Sequence, residues 1–308
     1  MNRDEFLALP AADVAAHMRE AGPKVCVFPI NGTRRWFMLE YPPQPDTDVL
    51  AAYLAIVEQR HIDLYRLFFD HGVHTLLTPA FGPDLLERGD EYIQIAAEGL
   101  ARLATEDVFL DFYREYDVRV RFYGDHRKYL GSTRFAYLCD LFDDLTRRTL
   151  SHTRHRLFFG LFAHDATETI AELSVHYYRQ HTRVPDKWTL IELYYGEYVP
   201  PVDLFIGFDK FCAFDMPLVA TGNEDLYFTV SPSPYLTAPQ LRAILFDHLI
   251  TRRMAETDYS ALERNEWQLM RSFYRTNIGN TLGVGARQTH GDYWYPLPLV
   301  DLPEGFGM

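Results

Sequence analysis

The stretch GPKVCVFPINGTRRWF, residues 22–37, decides the fold and raises the first question about function. Its apolar run, 25–30, stops at the turn dipeptide Asn31-Gly32, and the pair Arg34-Arg35 follows at once. A strand that ends in a glycine turn and continues as a helix offers free backbone N–H groups to an anion, and guanidinium groups beside it can hold phosphate through paired hydrogen bonds. The stretch therefore indicates a phosphate site, while a surface turn with solvated arginines is the alternative that these residues alone leave open.

Six apolar runs, rich in β-branched or aromatic residues, alternate with helix-length segments along the chain. The runs are 25–30, 73–81, 118–124, 157–163, 202–208 and 226–231. The helical segments are 48–71, about 84–104, 133–149, 165–181 and 237–254. Strands that are apolar almost throughout and alternate with helices predict an α/β fold, with a central, mostly parallel sheet of about six strands flanked by helices. Ligands of such open sheets bind beyond the carboxyl ends of the strands, which is where Asn31-Gly32 would lie.

The domain organisation is predicted to be simple. The chain of 308 residues forms one domain, 1–308, with a helical N-terminal segment at about 3–21 and an irregular C-terminal tail at about 276–308. It contains no internal repeat and no glycine- or serine-rich linker. Local signals support the helix limits, because Gly72 is placed to end one helix, and Asp165 with a glutamate three residues on predicts a capping box.

Composition and charge narrow the class of protein. With 47% apolar and 15% aromatic residues the chain can bury a large core, and its net charge of −13 argues against a nucleic-acid binder or a protein of anionic membrane surfaces. Cys26, Cys139 and Cys212 lie far apart, so neither a disulfide framework nor a zinc cage is indicated, and a reducing cytoplasm is the predicted location. No run of about eighteen apolar residues is free of charge, which predicts no membrane span.

One aspartate cluster resembles a metal motif without matching it. Asp140, Asp143 and Asp144, in DLFDDLT, follow the order D-x-x-D-D, whereas the magnesium motif of helical terpene synthases is D-D-x-x-D. An amphipathic helix with a solvated acidic face explains them better. The D-x-D-D pattern of cyclases that start by protonation is also missing, with DTD at 46–48 the nearest sequence, so the chain is not expected to start a cyclisation in that way.

Three further segments admit two interpretations each. The sequence YYGEY, 194–198, either lines an apolar pocket or packs in the core as a helix end. Arg88, seven residues beyond Phe81 at a strand end, is either an anion contact or a helical surface charge. His152 and His155 are three residues apart, but solvated or internally bonded histidines are the expected case. The motifs of esterases, P-loop kinases and dinucleotide-binding dehydrogenases are absent from the sequence.

In their order and near their spacing, four segments resemble the cis-prenyltransferases: AF-x6-R (80–88), VRFYGD (120–125), VDLFIGF (202–208) and LYFTVSPS (226–233). The resemblance extends from about Phe6 to Gly285. It is stronger for one branch, the tuberculosinol synthases, tuberculosinyl-adenosine transferases and related bacterial diterpene synthases, with the kolavelool synthase type included. The segments that carry it are GPKVCVFPINGTRRWF (22–37), DLLERGD (84–90), FYGD (122–125), YYGEYV (194–199) and LYFTV (226–230).

The resemblance implies a role for the opening stretch. The residues that it assigns to an allylic diphosphate are Gly32, Thr33, Arg34, Arg35 and Arg88. Ionising an allylic C–O bond places negative charge on diphosphate, and preorganised arginines and amides stabilise that charge as it develops. The resemblance also implies a catalytic tyrosine soon after the first motif, for which Tyr53 is our choice, since its phenol would orient a water molecule or stabilise the cation through its ring. The implied catalytic set is Asn31, Arg34, Arg35 and Tyr53.

Two departures from the family pattern shape the expected mechanism. Chain-elongating members hold a second diphosphate through R-x-x-x-E-x-R, but here the segment 206–215 reads IGFDKFCAFD and both arginines are missing. Chain elongation is therefore not expected. Asn31 stands where the family carries aspartate, and an amide cannot replace a carboxylate as a strong Mg²⁺ ligand or as a base. No metal site is assigned to Asn31, and any Mg²⁺ is expected to arrive with the substrate.

Together with the resemblance, these residues predict a class I-type diterpene synthase. It would remove diphosphate from a bicyclic allylic diphosphate of twenty carbons, of halimane or clerodane type, and let water capture the cation to give a diterpene alcohol. Transfer of the same group to a nucleophile such as adenosine, a catalytically silent partner subunit and a linear substrate such as geranylgeranyl diphosphate stay open as alternatives. The resemblance further implies a homodimer, and an upstream class II diterpene cyclase as the pathway partner.

Overall fold

A six-stranded sheet forms the centre of the computed structural model, which describes residues 1–42, 48–253, 259–290, 293–297 and 300–303. The strands are β1 (Val25–Val27), β2 (Thr75–Phe81), β3 (Val118–Tyr123), β4 (His155–Leu161), β5 (Leu204–Phe208) and β6 (Asp225–Thr229). They lie in the order β3-β4-β2-β1-β5-β6, and each neighbouring pair is parallel. The predicted α/β fold with a parallel sheet of about six strands is confirmed.

The order of the strands reverses at β1. The chain adds β2, β3 and β4 on one side of β1 and then crosses over to add β5 and β6 on the other side. Connections that leave neighbouring parallel strands in opposite directions open a crevice at the carboxyl ends of those strands. The loop that follows β1 therefore lies at this crevice.

Helices cover both faces of the sheet. They are α1 (Arg3–Leu7), α2 (Ala11–Glu20), α3 (Thr33–Glu40), α4 (Val49–Asp70), α5 (Asp90–Thr105), α6 (Asp107–Glu115), α7 (His126–Leu130), α8 (Tyr137–Arg148), α9 (Thr167–His181), α10 (Lys187–Tyr195), α11 (Ala238–Leu249) and α12 (Arg264–Thr276). Short 3₁₀ turns lie at Pro83–Glu87, Ser233–Tyr235, Thr251–Arg253 and Tyr259–Ala261. Because side chains of a strand alternate between its faces, Cys26 packs in the core under α4, α5, α6 and α8, whereas Val25 and Val27 pack in a smaller core under α9 and α10.

Two of the predicted helix ends can be compared with the structure. Helix α4 ends at Asp70, and Gly72 just beyond it has a φ of 90°, as expected for a glycine that ends a helix. The predicted capping box at Asp165 is wrong. The helix begins one residue later than the box requires, so Asp165 accepts the N–H of Thr167 at 3.1 Å, while Glu168 forms an ion pair with a lysine of α7 at 2.8 Å.

Both terminal segments pack on the sheet unit. The N-terminal segment holds α1 and α2, and Phe6 is fully buried. The C-terminal tail, predicted to be irregular, carries a short antiparallel pair, β7 (Gly285–Arg287) and β8 (Trp294–Pro296). The ring of Trp294 packs 6.3 Å from that of Phe211, which follows β5, so the tail returns to the carboxyl end of the sheet.

Two further predictions concern a protonation motif and membrane spans. Asp46 and Thr47, in the sequence nearest to a protonation motif, lie outside the described residues. None of the described helices combines the length and the apolar character that crossing a membrane would require.

Candidate active site

The loop after β1 turns at Gly32 and leads straight into α3. Gly32 has a φ of 77°, and a Cβ there would lie 2.9 Å from the Cβ of Pro232 and 3.1 Å from the ring of Phe208. Both the dihedral angle and these contacts disfavour any side chain at this position. Gly32 is also the N-cap residue of α3, so the unpaired N–H groups of the first turn lie at the carboxyl end of the sheet.

A buried serine ties this loop to the loop after β6. Ser233 donates its hydroxyl to the carbonyl of Pro29 at 3.0 Å and accepts the N–H of Asn31 at 3.1 Å. Its own N–H donates to the carbonyl of Asn31, also at 3.1 Å. Ser233 closes one of the quoted motifs, but the sequence prediction gave it no role, because its partners lie about two hundred residues away. These three hydrogen bonds fix the backbone of the loop in the conformation that leads into α3.

Two positive charges stand at the start of α3. Arg34 and Arg35 belong to its first turn, and both side chains are exposed. The guanidinium carbon of Arg35 lies 5.5 Å from the centre of the Phe208 ring. Among the residues that the structure describes, neither arginine has an ion-pair partner. A helix N-terminus with two such guanidinium groups is suited to an anion, as the sequence predicts.

Tyr53 lies on α4 and reaches this loop. Its phenol oxygen is 3.1 Å from the hydroxyl of Thr33, and its ring meets that of Phe37 edge-on with centres 5.3 Å apart. Burial raises the pKa of Tyr53, while the hydrogen bond to Thr33 and the charge of Arg34 lower it by less. The phenol is therefore protonated at neutral pH. The structure thus brings Tyr53 together with Thr33 and Arg34, although about twenty residues of the chain separate them.

Arg88 approaches the same site through a second tyrosine. It follows the turn Pro83–Glu87 after β2, and its Nη1 donates to the phenol oxygen of Tyr92 at 3.2 Å. The guanidinium carbon also lies 5.2 Å from the centre of the Tyr92 ring. Tyr92 in turn raises the pKa of Tyr53, so the two phenols are within electrostatic range. The sequence prediction missed Tyr92, although Arg88 and Tyr92 lie four residues apart within the predicted helical segment 84–104, a spacing that brings side chains of a helix together.

The residues around the loop do not fit a metal ion held by the protein. Within the described ranges no group of three histidine, cysteine, aspartate or glutamate side chains could hold one. Asn31 would supply at most one amide oxygen, and its backbone N–H and carbonyl are both bonded to Ser233. The expectation that Mg²⁺ would come with the substrate stays a prediction.

An apolar cluster adjoins the polar groups. Trp36 and Phe37 of α3 pack with Val57 of α4, and Tyr53 lies against them. On the next helix, Gly99 faces Leu54, since a Cβ added to this glycine would lie 3.8 Å from the leucine side chain. A hydrocarbon chain bound next to the loop at Gly32 would therefore contact aromatic and aliphatic side chains.

The aspartate cluster of α8 lies on an exposed surface. Asp143 forms an ion pair with Arg127, and Asp144 forms one with Arg147 at 3.2 Å. These side chains are about half exposed, which agrees with the solvated acidic face and not with a metal motif. Tyr194 and Tyr195 of YYGEY behave as core residues, because both are buried and Tyr195 donates to the carbonyl of Pro217 at 2.8 Å, whereas Tyr198 is exposed.

The histidine pair also has structural partners. A ring nitrogen of His152 is 2.8 Å from the carbonyl oxygen of Val118. The ring of His155 stacks on Phe69 with centres 4.3 Å apart, and burial lowers its pKa to about 4. Burial and stacking therefore keep the His155 ring neutral at neutral pH.

Beside the arginine loop, a cavity of about 450 Å³ opens at the carboxyl ends of β5 and β6. It lies where the segment 206–215 lacks the arginines of chain-elongating enzymes. The cavity is lined by Asp209, Phe211, Phe228, Thr229, Val230, Pro296 and Leu297. The described lining residues thus include no basic side chain that could hold a second diphosphate.

Two relatives match this chain over almost its full length. A tuberculosinyl adenosine transferase from Mycobacterium tuberculosis is 44% identical over 297 residues, which cover 96% of this chain and 98% of the relative. A (+)-kolavelool synthase from Herpetosiphon aurantiacus is 25% identical over 295 residues, which cover 95% of this chain and 94% of the relative. No protein-family model matches the chain.

Two solved structures share the fold at 15% sequence identity. Lavandulyl diphosphate synthase from Lavandula x intermedia, in complex with dimethylallyl diphosphate, has a TM-score of 0.59 and covers 75% of this chain and 97% of its own. A probable undecaprenyl diphosphate synthase from Campylobacter jejuni has a TM-score of 0.53 and covers 76% and 97%. The likeness shows the cis-prenyltransferase fold, as the resemblance implied.

Proposed function

The chain belongs to the family of the tuberculosinyl adenosine transferase, and we propose that it removes diphosphate from a bicyclic allylic diphosphate of twenty carbons and passes the resulting cation to an acceptor. The observation that carries this proposal is the start of α3, where Gly32 exposes helix N–H groups beside Arg34 and Arg35. The halimane or clerodane skeleton of the substrate is part of the proposal and follows from the family.

Loss of diphosphate is the step that the loop promotes. The allylic C–O bond breaks with its electron pair on the diphosphate oxygen, and the cation is delocalised over the allyl group. Negative charge grows on the leaving group as the bond breaks, so donors fixed at the start of α3 stabilise the transition state more than the bound substrate. Arg34 and Arg35 have no ion-pair partner among the described residues, so their positive charge is available for diphosphate.

Tyr53 acts next to the leaving group. Its hydrogen bond with Thr33 holds the phenol 3.1 Å from a residue of the diphosphate loop. Because burial raises its pKa, the phenol stays neutral and does not act as a base at neutral pH. It can orient the acceptor through its oxygen or stabilise the allylic cation through its ring.

Two acceptors have support. Water, the acceptor expected from the sequence, would give a diterpene alcohol, and the relative from Herpetosiphon aurantiacus is a (+)-kolavelool synthase, whose product name has the ending of an alcohol. Adenosine is favoured by the higher identity, 44% against 25%, to the transferase from Mycobacterium tuberculosis. Both outcomes share the ionisation step. Capture of water also releases a proton, for which the departed diphosphate is a base. A second allylic or homoallylic diphosphate is not proposed, because the described cavity lining lacks basic side chains.

The proposal includes three further elements. Mg²⁺, when bound to the diphosphate of the substrate, would neutralise part of its charge, and no protein carboxylate is assigned to it. A class II diterpene cyclase would supply the bicyclic diphosphate, because this chain has no D-x-D-D motif. A homodimer is the assembly that the family suggests. A catalytically silent subunit is the alternative that Asn31 keeps open.

An end-point assay tests the proposed function. Purified protein is incubated with kolavenyl, halimadienyl or geranylgeranyl diphosphate, each with Mg²⁺, with EDTA and with adenosine, and the extract is read by mass spectrometry. We expect a diterpene alcohol or an adenosine adduct from one bicyclic substrate. Binding of the diphosphates without product in any lane would refute the proposed enzymatic activity and favour a catalytically silent subunit.

A further inference from the structure

Arg60 of α4 forms two hydrogen bonds with the turn that follows β6. Its Nε donates to the carbonyl of Pro234 at 2.7 Å, and its Nη2 donates to the carbonyl of Leu236 at 3.0 Å. Arg60 is half-buried, and although burial lowers its pKa, an arginine remains charged at neutral pH. Because both acceptors are main-chain carbonyls, the two bonds fix the path of the turn relative to α4.

The same turn is bonded to the loop at Gly32. Ser233 is the first residue of this turn and is fully buried. It holds Pro29 and Asn31 through the three hydrogen bonds described above. Helix α4 is therefore linked to the loop at Gly32 through two polar side chains in series, first the guanidinium group of Arg60 and then the hydroxyl of Ser233.

Tyr53 provides a second, direct link between α4 and the start of α3. Its phenol oxygen is 3.1 Å from the hydroxyl of Thr33. Tyr53 and Arg60 are seven residues apart, which is about two helical turns or roughly 10 Å along the axis, so they lie on the same side of α4. Between them, Val57 packs against two aromatic residues of α3, but apolar contacts have little directionality. Two separated hydrogen-bonded links fix the tilt of a helix, whereas one link leaves it free to pivot.

We propose that Arg60 is a positioning residue, which sets the place of the Tyr53 phenol relative to the guanidinium groups at the start of α3. This inference rests on the proposed function, since it concerns the same ionisation step. Arg60 acts through Tyr53, because its described hydrogen bonds are to carbonyls of the turn. A displacement of about 1 Å in a catalytic group can lower the rate up to about a hundredfold. Loss of Arg60 should therefore lower kcat, while Arg34 and Arg35 still bind the diphosphate and KM changes little.

Substitution of Arg60 by methionine tests this role in the full chain. Arg60→Met retains a long side chain and removes both hydrogen bonds. We expect kcat for diphosphate release from the active bicyclic substrate to fall at least about tenfold, with KM within about twofold of the wild-type value. Arg60→Lys retains the charge and a donor but lacks the planar fork, so it should restore part of kcat.

Arg242→Met is the matched control. Arg242 is also half-buried, and it donates to the carbonyl of Leu7 at 3.1 Å and to a ring nitrogen of His71 at 3.2 Å. It thus joins α11 to the N-terminal segment and to the far end of α4. Both variants should lower the melting temperature by a similar few degrees, but Arg242→Met should leave kcat within about twofold of the wild-type value. If Arg60 only stabilises the fold, the two variants will have the same kcat.

A double-mutant cycle with Tyr53→Leu identifies the residue through which Arg60 acts. Tyr53→Leu removes both the phenol oxygen and the ring. In that background Arg60→Met should lower kcat by less than about threefold, because the group that it positions is gone. An equal fall of kcat in both backgrounds would overturn the proposal, as would a folded Arg60→Met protein with kcat within about threefold of the wild-type value.

Hydrogen exchange separates this proposal from the proposed function, which fails if the wild-type protein releases no diphosphate from any substrate. Exchange of main-chain N–H groups, followed by mass spectrometry of peptides, then measures the links alone. The N–H groups of Asn31 and Leu236 both donate to Ser233 at 3.1 Å. They should exchange at least about fivefold faster in Arg60→Met and at the wild-type rate in Arg242→Met. Unchanged exchange in Arg60→Met would show that Arg60 does not hold the loop.

Discussion

Replacing Arg35 by alanine is the perturbation that bears most directly on the proposed diphosphate site at the start of α3. Arg35 is exposed, and its described contact is with the Phe208 ring at 5.5 Å, a cation–π interaction of about 0.5–1 kcal/mol. Folding should therefore change little, and we expect the melting temperature to fall by no more than a few degrees. The loss should appear in catalysis instead.

The size of the catalytic loss follows from the role of the guanidinium group. A donor aimed at charge that develops in the transition state contributes about 10²–10³ in rate, or about 2.7–4 kcal/mol. Because Arg34 remains next to the substituted position, we expect the loss in Arg35→Ala to lie near the lower end of this range, with kcat/KM for diphosphate release reduced about a hundredfold. Arg35→Lys keeps the charge but loses the paired hydrogen bonds, so its kcat/KM should fall between those of Arg35→Ala and the wild-type protein.

A continuous assay of diphosphate release with the bicyclic substrate measures these ratios. Arg147→Ala is the matched control, since this arginine lies on α8 with a side chain 73% exposed and should change kcat/KM by less than about twofold. An Arg35→Ala protein that is folded and retains kcat/KM within about threefold of the wild-type value would refute the assignment of the anion site.

Three further substitutions test other parts of the site. Gly32→Ala should lower the free energy of unfolding by about 2–4 kcal/mol, since the new Cβ would overlap Pro232 at 2.9 Å in addition to the strain of a positive φ. Gly222→Ala is the control, because Gly222 has a φ of 84° and nothing within 4 Å, so that variant has the strain alone. Equal losses of unfolding free energy in the two variants, measured by denaturant unfolding, would contradict the overlap. Tyr53→Phe should lower kcat/KM about tenfold or more by removing the hydrogen bond to Thr33. Burial raises the pKa of Tyr53 in the folded state, so the contribution of this phenol to stability is fully present below pH of about 10 and is lost as the pH rises through the folded pKa. A loss of stability between about pH 7 and 9 that is absent from Tyr53→Phe would contradict the direction of this pKa shift. Asn31→Asp should raise activity or its dependence on Mg²⁺ if a carboxylate is merely missing, whereas a fall in diphosphate release would show that Asn31 has a role of its own.

The sheet could be predicted because each strand is a local apolar run. The run 25–30 predicted β1, although the strand itself is only Val25–Val27, since Pro29 lacks an N–H and the chain turns soon after. The loop at Gly32 could be predicted for the same reason, because its turn dipeptide and its arginines are adjacent in sequence. Short elements of the tail were missed, since three residues are too few to show a strand period.

The contacts that complete the site could not be predicted from local patterns. Ser233 bonds to Asn31 across 202 positions of the chain, and no periodicity joins the two. The cavity likewise combines Asp209 and Phe211 with 228–230 and 296–297, which the pairing of β5 with β6 and the packing of the tail bring together. The predicted box at Asp165 failed on a shift of one residue, because the helix began later and Glu168 found a lysine partner. Local signals thus predicted elements and single motifs, whereas tertiary packing decided which of them meet.

The most direct test of the central claim is a crystal structure of this protein with an unreactive bicyclic thiolodiphosphate, in which sulfur replaces the bridging oxygen so that the allylic bond does not ionise. We expect its diphosphate at the start of α3, within hydrogen-bond distance of the N–H of Thr33 and of the guanidinium groups of Arg34 and Arg35, with the allylic carbon facing Tyr53. A diphosphate held elsewhere, for example by Arg121 and Arg156, which form ion pairs with Glu197 at 2.8 and 2.6 Å, with the loop at Gly32 empty, would contradict the account.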